Sequence, residues 1–297
     1  MTGHARWRDP RLGRTDEVCL DAGRVRYHEA GDGPALVFVH GYLVNANIWR
    51  KLVPLLSEQY RCITPDWPLG SHVVPVPSEA DLSPTGIARL IAGFLEALDL
   101  CDVTLVGNDS GGAYSQLVAA RHPRRLSGLV LNSCETPWCS WPPNPGGFGV
   151  LKAAARHPAS HRALYQALRW ERTWRWRNTY GWLAKYPIDV DAMRSYVRPV
   201  ITRRDIRLDG RKAISTVSAR YSRDAAEQLR DTFTGRVLCA WGSEDRVFAL
   251  DDARRYAAKL GARLRTIDDS YTYTAEDQPE RTADVLRDWL DGTDRGA

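Results

Sequence analysis

The chain has 297 residues, of which 43% are hydrophobic, and 41 Lys and Arg against 36 Asp and Glu give it a net charge of +5. That length buries a large core, in one domain with an elaborate insertion or in two small domains. No apolar run reaches the roughly 18 residues of a membrane span, and the polar start Met1-Thr2-Gly3-His4-Ala5-Arg6 lacks the apolar centre of a signal peptide; a cytoplasmic protein without a membrane partner is expected.

In chain order, Glu17 to Leu20 and Val25 to His28 read as two short strands, and residues 1 to about 15 as a loose terminus. After the turn Gly31-Asp32-Gly33-Pro34, the run Ala35-Leu36-Val37-Phe38-Val39 suits a parallel strand buried on both faces, and it ends in His40-Gly41-Tyr42. Ile48 to Leu56 has helical spacing, and Arg61 to Thr64 forms another strand. Ser83 caps a helix whose first residue is Pro84 and whose Ile87, Leu90, Ile91, Phe94, Leu95 and Leu98 share one face. Strands at Val103 to Val106 and Leu126 to Leu131 flank a helical stretch, Ala113 to Arg121. The alternation predicts a doubly wound, mostly parallel sheet.

The alternation stops after Glu135. A Pro-rich and Gly-rich loop (Pro137, Pro142, Pro143, Pro145, Gly146, Gly147) precedes helical spacing that runs to about Ser218. Residues 136–215 hold 15 Lys and Arg against 5 Asp and Glu, leaving 26 against 31 in the rest, so a basic insert sits on an acidic body. Its arginines are dispersed among Trp and Tyr with no nucleic-acid module, which points to a solvated face and a small-molecule partner, not to nucleic acid. The sheet resumes at Val237 to Trp241, a helix begins near Leu250, and Arg263 to Ile267 is the last strand. The six cysteines are scattered without Cys-x-x-Cys spacing and read as reduced thiols; no metal and no cofactor are expected. The sequence does not specify the oligomeric state.

The strand ending in Val106-Gly107-Asn108-Asp109-Ser110-Gly111-Gly112 carries the chemistry. A sharp strand-to-helix turn that lifts one side chain off the end of a sheet needs small residues two before and two after it, and Gly107 and Gly111 bracket Asp109. Ser110 is the other candidate for the lifted residue, with Asn108 then standing where a small residue belongs. The stretch resembles the nucleophile elbow of the α/β-hydrolase superfamily, in the aspartate-nucleophile branch of haloalkane dehalogenases and epoxide hydrolases. The resemblance implies the α/β-hydrolase fold, with a core of residues 1–135 and 219–297 and an inserted helical cap, 136–218, roofing the site.

It also implies site residues. The backbone amides of Tyr42, after the His-Gly step, and of Ser110 would form an oxyanion hole, with His40 structural. Asp245, after the Val237 strand, matches the triad acid; Glu135 is the second position where relatives carry it, and a helix-capping turn carboxylate is the plainer reading of Asp245. Tyr221 lies near a cap tyrosine that protonates an opened epoxide, or is simply a packing residue. Trp170, Trp174, Trp176, Tyr180 and Trp182 pack the cap helix or wall a pocket for an apolar substrate, polycyclic ones included.

The chain departs from the pattern in three places. Thr272, in Tyr271-Thr272-Tyr273, stands where relatives carry the triad histidine, and no histidine follows His161. Ser110 and Tyr42 stand where dehalogenases hold a halide with Trp and Asn, and Leu43 replaces an epoxide hydrolase proline. An epoxide-opening hydrolase acting through Asp109 is expected, and a haloalkane dehalogenase less so. A non-hydrolytic isomerase, lyase or cyclase with Asp109 as proton shuttle, and a catalytically silent ligand binder, remain as alternatives.

Overall fold

The computed structural model describes residues 7–293. The strands are β1 (Arg14–Leu20), β2 (Gly23–Ala30), β3 (Ala35–Val39), β4 (Arg61–Pro65), β5 (Val103–Asn108), β6 (Leu126–Asn132), β7 (Arg236–Gly242) and β8 (Arg263–Ile267). They form one sheet in the order β1-β2-β4-β3-β5-β6-β7-β8, antiparallel at β1/β2 and β2/β4 and parallel elsewhere. This is the expected α/β-hydrolase fold. The site follows from the order: β3 and β5 are neighbours, with Val39 opposite Gly107, so the loops after them meet over one end of the sheet.

The helices are α1 (Val53–Leu56), α2 (Pro84–Ala97), α3 (Ser110–Arg121), α4 (Gly149–Ala154), α5 (Pro158–Gln166), α6 (Val190–Thr202), α7 (Arg204–Thr216), α8 (Ala219–Thr232), α9 (Leu250–Leu260), α10 (Thr274–Asp277) and α11 (Pro279–Leu290). Ser83 caps α2 as expected, its Oγ accepting from the Gly86 amide. The helix expected over Ile48 to Leu56 is instead a 3-10 turn, Ala46–Trp49, and the short α1, because Asn45 caps the first turn and Pro54 begins the second. The core is continuous from the sheet into α3, in which all residues from Ser110 to Ala120 are buried.

Between β6 and β7 run α4 to α7, and α8 then packs on α3. The aromatic-rich stretch is not the regular helix its spacing suggested. It is two 3-10 turns, Ala167–Arg169 and Glu171–Arg175, followed by further turns. Thr173 buries itself by donating to the carbonyls of Ala167 and Trp170, and Thr179 donates to those of Thr173 and Trp176, so the threonine hydroxyls share carbonyls that already accept amides three residues on. The arginines of the stretch face solvent. Hydrogen bonds tie the segment to the sheet end: Tyr180 Oη to the Leu43 carbonyl (2.7 Å), Asn45 Nδ2 to the Ser195 carbonyl (3.0 Å) and the Tyr273 amide to the Leu183 carbonyl (2.7 Å). No helix among the described residues is long and apolar enough to cross a membrane.

Candidate active site

Asp109 is held at φ 53°, ψ −141°, in a region that a residue with a side chain rarely adopts, between the end of β5 and the first turn of α3. The surroundings over-determine that strain. A Cβ on Gly107 would lie 2.6 Å from Ser115 Oγ, and one on Gly111 2.0 Å from the Val39 carbonyl oxygen, so the glycines on either side permit a turn that any larger residue would block. The Asp109 carboxyl packs against Gly41, where a Cβ would meet its Oδ2 at 2.2 Å. The residue lifted by the turn is therefore Asp109; Ser110 is the first residue of the helix.

Asp109 forms the floor of a cavity with about 920 Å³ of empty space, its mouth included. Its walls come from the β3 loop (Tyr42, Leu43), from the stretch after β6 (Glu135, Trp141, Phe148), from α5 (Leu164, Tyr165) and from the cap turns (Trp176, Tyr180, Leu183). The lining is overwhelmingly apolar and aromatic, a chemistry suited to a small apolar ligand.

The carboxyls here are far from their usual behaviour. Burial, opposed by the Ser110 amide and reinforced by Asp245, pushes Asp109 up to about 7. Glu135 is fully buried and makes no hydrogen bond through either carboxyl oxygen. Burial first, then the charge of Asp109, drives it well above the carboxylate range. The Asp245 carboxyl is also buried, and burial pushes it up to about 6 against the amides and hydroxyls around it.

Asp245 is not on the cavity wall. Its Oδ1 accepts from the amides of Val247 (2.8 Å) and Phe248 (3.0 Å) and from the Thr272 hydroxyl (2.9 Å). Thr272 thus points at the acid, as a histidine there would, with its only proton already donated. Glu135, ranked second in the sequence, is the acid that shares the cavity with Asp109. None of the described histidines lines the cavity. His40 accepts from the Trp67 amide at Nε2 (2.9 Å) and lies beside the Gly41 carbonyl at Nδ1 (2.9 Å), a buried structural residue held neutral by desolvation, its pKa lowered to about 4.

Other expectations are redistributed. The Tyr42 amide donates to Ser110 Oγ (3.0 Å), so the two oxyanion-hole residues are in contact, and the hydroxyl covers the amide that an oxyanion would use. Tyr221 is not in the cavity: it lies on α8, its hydroxyl accepting from Arg220 (3.0 Å) and its ring under the same guanidinium. Three of the described tyrosines line the cavity: Tyr180 donates to the Leu43 carbonyl, Tyr42 to the Gly210 carbonyl (3.1 Å), and the Tyr165 hydroxyl lies 2.9 Å from Tyr42 Oη. Of the five cap aromatics, Trp176 and Tyr180 line the cavity. Trp170 is exposed, Trp174 is buried with its indole donating to the Leu168 carbonyl, and Trp182 packs on the core. Nothing in the spacing marked Tyr165, Trp141 or Phe148, which reach the site from α5 and an irregular loop. Glu135 did carry a signal, a carboxyl directly after a buried strand. Among the described residues no group of three or more His, Cys, Asp or Glu has the arrangement of a metal site.

Comparison with known proteins identifies the family to which this fold belongs. The profile of the alpha/beta hydrolase fold family matches residues 34–279. A haloalkane dehalogenase of Mesorhizobium japonicum is 36% identical over 116 residues, 39% of this chain and 37% of that protein, so the match spans well under half of the relative. A 2-hydroxy-6-oxononadienedioate/2-hydroxy-6-oxononatrienedioate hydrolase of Paraburkholderia xenovorans is 28% identical over 80% of each chain. The solved structure of the epoxide hydrolase CorEH superposes with a TM-score of 0.78 at 18% identity, covering 94% of this chain and 99% of that one, a likeness of fold.

Proposed function

The chain belongs to the alpha/beta hydrolase fold family, and within it we propose that this protein is a hydrolase in which Asp109 attacks an epoxide-like carbon of an apolar substrate. One observation carries the reading: a strained elbow lifts a carboxyl, not a hydroxyl, onto the floor of an aromatic cavity. Asp109 Oδ2 bonds to the ring carbon, the carbon–oxygen bond breaks towards oxygen, and the alkoxide takes a proton from a wall hydroxyl, for which Tyr165 is in place where Tyr221 is not. The product of this step is an alkyl ester of Asp109. Rotation of the Ser110 hydroxyl off the Tyr42 amide frees that donor to join the Ser110 amide at the oxyanion formed when water attacks that ester. Deprotonating this water is the slow step, since the Thr272 hydroxyl is bonded to Asp245 and far too weakly basic.

That last observation also favours a second reading, in which Asp109 only shuttles a proton and the reaction is a non-hydrolytic isomerisation or cyclisation. Incubation with styrene oxide in ¹⁸O-water, followed by intact-protein and peptide mass spectrometry, separates the two. A mass increase located on Asp109, absent from Asp109→Asn, is the expected result. Conversion of the epoxide with no adduct and no ¹⁸O in the product would leave the proton-shuttle reading in possession, and modification at Ser110 would move the nucleophile.

A further inference from the structure

We infer that the cavity recognises a ligand carrying a positively charged nitrogen beside its apolar body, with Glu135 releasing its proton to solvent as the cation enters and so becoming the counter-charge, and the aromatic wall as the cage. The inference rests on the reading of this cavity as the substrate site, and it goes further by naming the charge of the substrate.

The other buried carboxyls show how this chain treats such groups. Asp66 is paired with Arg8, Glu276 with Arg50 (2.8 Å), and Asp209 with His72 (3.1 Å). Asp277, without a cation, accepts from three backbone amides, those of Lys185, Tyr186 and Tyr271. Glu135 differs from these four: it has zero exposure, and neither oxygen has a hydrogen-bond partner. Leaving a carboxyl buried and unpaired costs folding free energy, which a protein recovers when a ligand supplies the partner.

The cavity says what kind of partner. Two of its lining groups are carboxyls, Asp109 and Glu135, and no Lys, Arg or His faces them. An anionic ligand would meet two acids and no counter-ion, and a purely apolar one would leave Glu135 unpaired. A cation answers both, and Trp141, Trp176, Phe148 and Tyr165 present the ring surfaces that attract one. The positive excess of the cap does not oppose this. None of its arginines lines the cavity, and those of the aromatic-rich stretch face solvent, where salt screens them over roughly 10 Å, whereas the two carboxyls act inside a desolvated space.

The test compares two probes of the same shape, benzyltrimethylammonium and its neutral carbon isostere neopentylbenzene, titrated into the intact protein with tryptophan fluorescence as the readout. The cation should bind at least tenfold more tightly than the isostere. Glu135→Gln should reduce that preference to within about twofold while leaving the isostere's affinity unchanged, which also shows that the variant retains its cavity. Equal or tighter binding of the isostere by the wild type overturns the inference without reference to any variant. So does a preference that survives in Glu135→Gln, or the absence of saturable cation binding up to about 10 mM. Charge preference in a protein whose Asp109 takes no adduct supports this inference and removes the nucleophile; an adduct without charge preference does the reverse.

Discussion

The sheet end and the cap build the same cavity by opposite means. At the sheet end, position is fixed by backbone: parallel registers set β3 against β5, glycines admit the elbow, and Asp109 has one available conformation. In the cap, position is fixed by side chains. Threonine hydroxyls bond back to the carbonyls of the turns, the Tyr180 hydroxyl ties the stretch to the β3 loop, and Trp176 stands half exposed at the cavity wall. The difference teaches where each property of the site resides. On the proposed function, reactivity belongs to the backbone-fixed floor, and the shape and chemistry of the ligand to the walls.

The largest test of that division falls on the floor. Thr272→His places an imidazole beside Asp245, where it can deprotonate the water that hydrolyses the Asp109 ester. Breakdown of a preformed styrene oxide adduct should speed up by about 10² to 10⁴, or roughly 3 to 5 kcal/mol. Equal adduct lifetimes in the two proteins, followed by mass spectrometry, would show that the wild type already has its base.

A smaller effect concerns the energetic cost of the floor. Burial raises Asp109 from 3.8 to about 7, so between these values the unfolded state has released a proton that the folded state retains. The group's contribution therefore falls as pH rises through that window and is flat above it. Asp109→Asn removes the dependence. The variant should match the wild type near pH 4 and exceed it at pH 8 by on the order of 1 to 3 kcal/mol, a few degrees in Tm. Thermal unfolding at the two pH values checks this, and a variant less stable than the wild type at pH 8 would contradict it.

The smallest effect belongs to the cap. Trp176→Ala strips apolar surface from the wall without touching Asp109. The styrene oxide concentration that half-saturates Asp109 alkylation should rise roughly tenfold, about 1.4 kcal/mol, with the limiting rate within about twofold. A collapse of the limiting rate would mean that the cap also aligns the reacting atoms, and the division between floor and walls would fail.

By itself the sequence determined the doubly wound sheet, the strand limits at Ala35–Val39 and Arg263–Ile267, the Ser83 cap and the two glycines that flank the strained turn at Asp109. These are local: an apolar run of strand length, a capping hydroxyl, or two glycines around a strained residue each act through neighbours a few positions away. Only the tertiary structure decided which acid shares the cavity with Asp109, which tyrosine reaches it and which tryptophans wall it. Glu135 and Asp245 both follow buried strands, yet one faces the cavity unpaired while the other is bonded to two amides and Thr272. Tyr165 and Tyr221 both lie on helices, and only the packing of α5 over the β3 loop brings the first within 2.9 Å of Tyr42. The physical reason is that burial and partnership are set by residues far apart in the chain, and those meet only once the cap has folded over the sheet end.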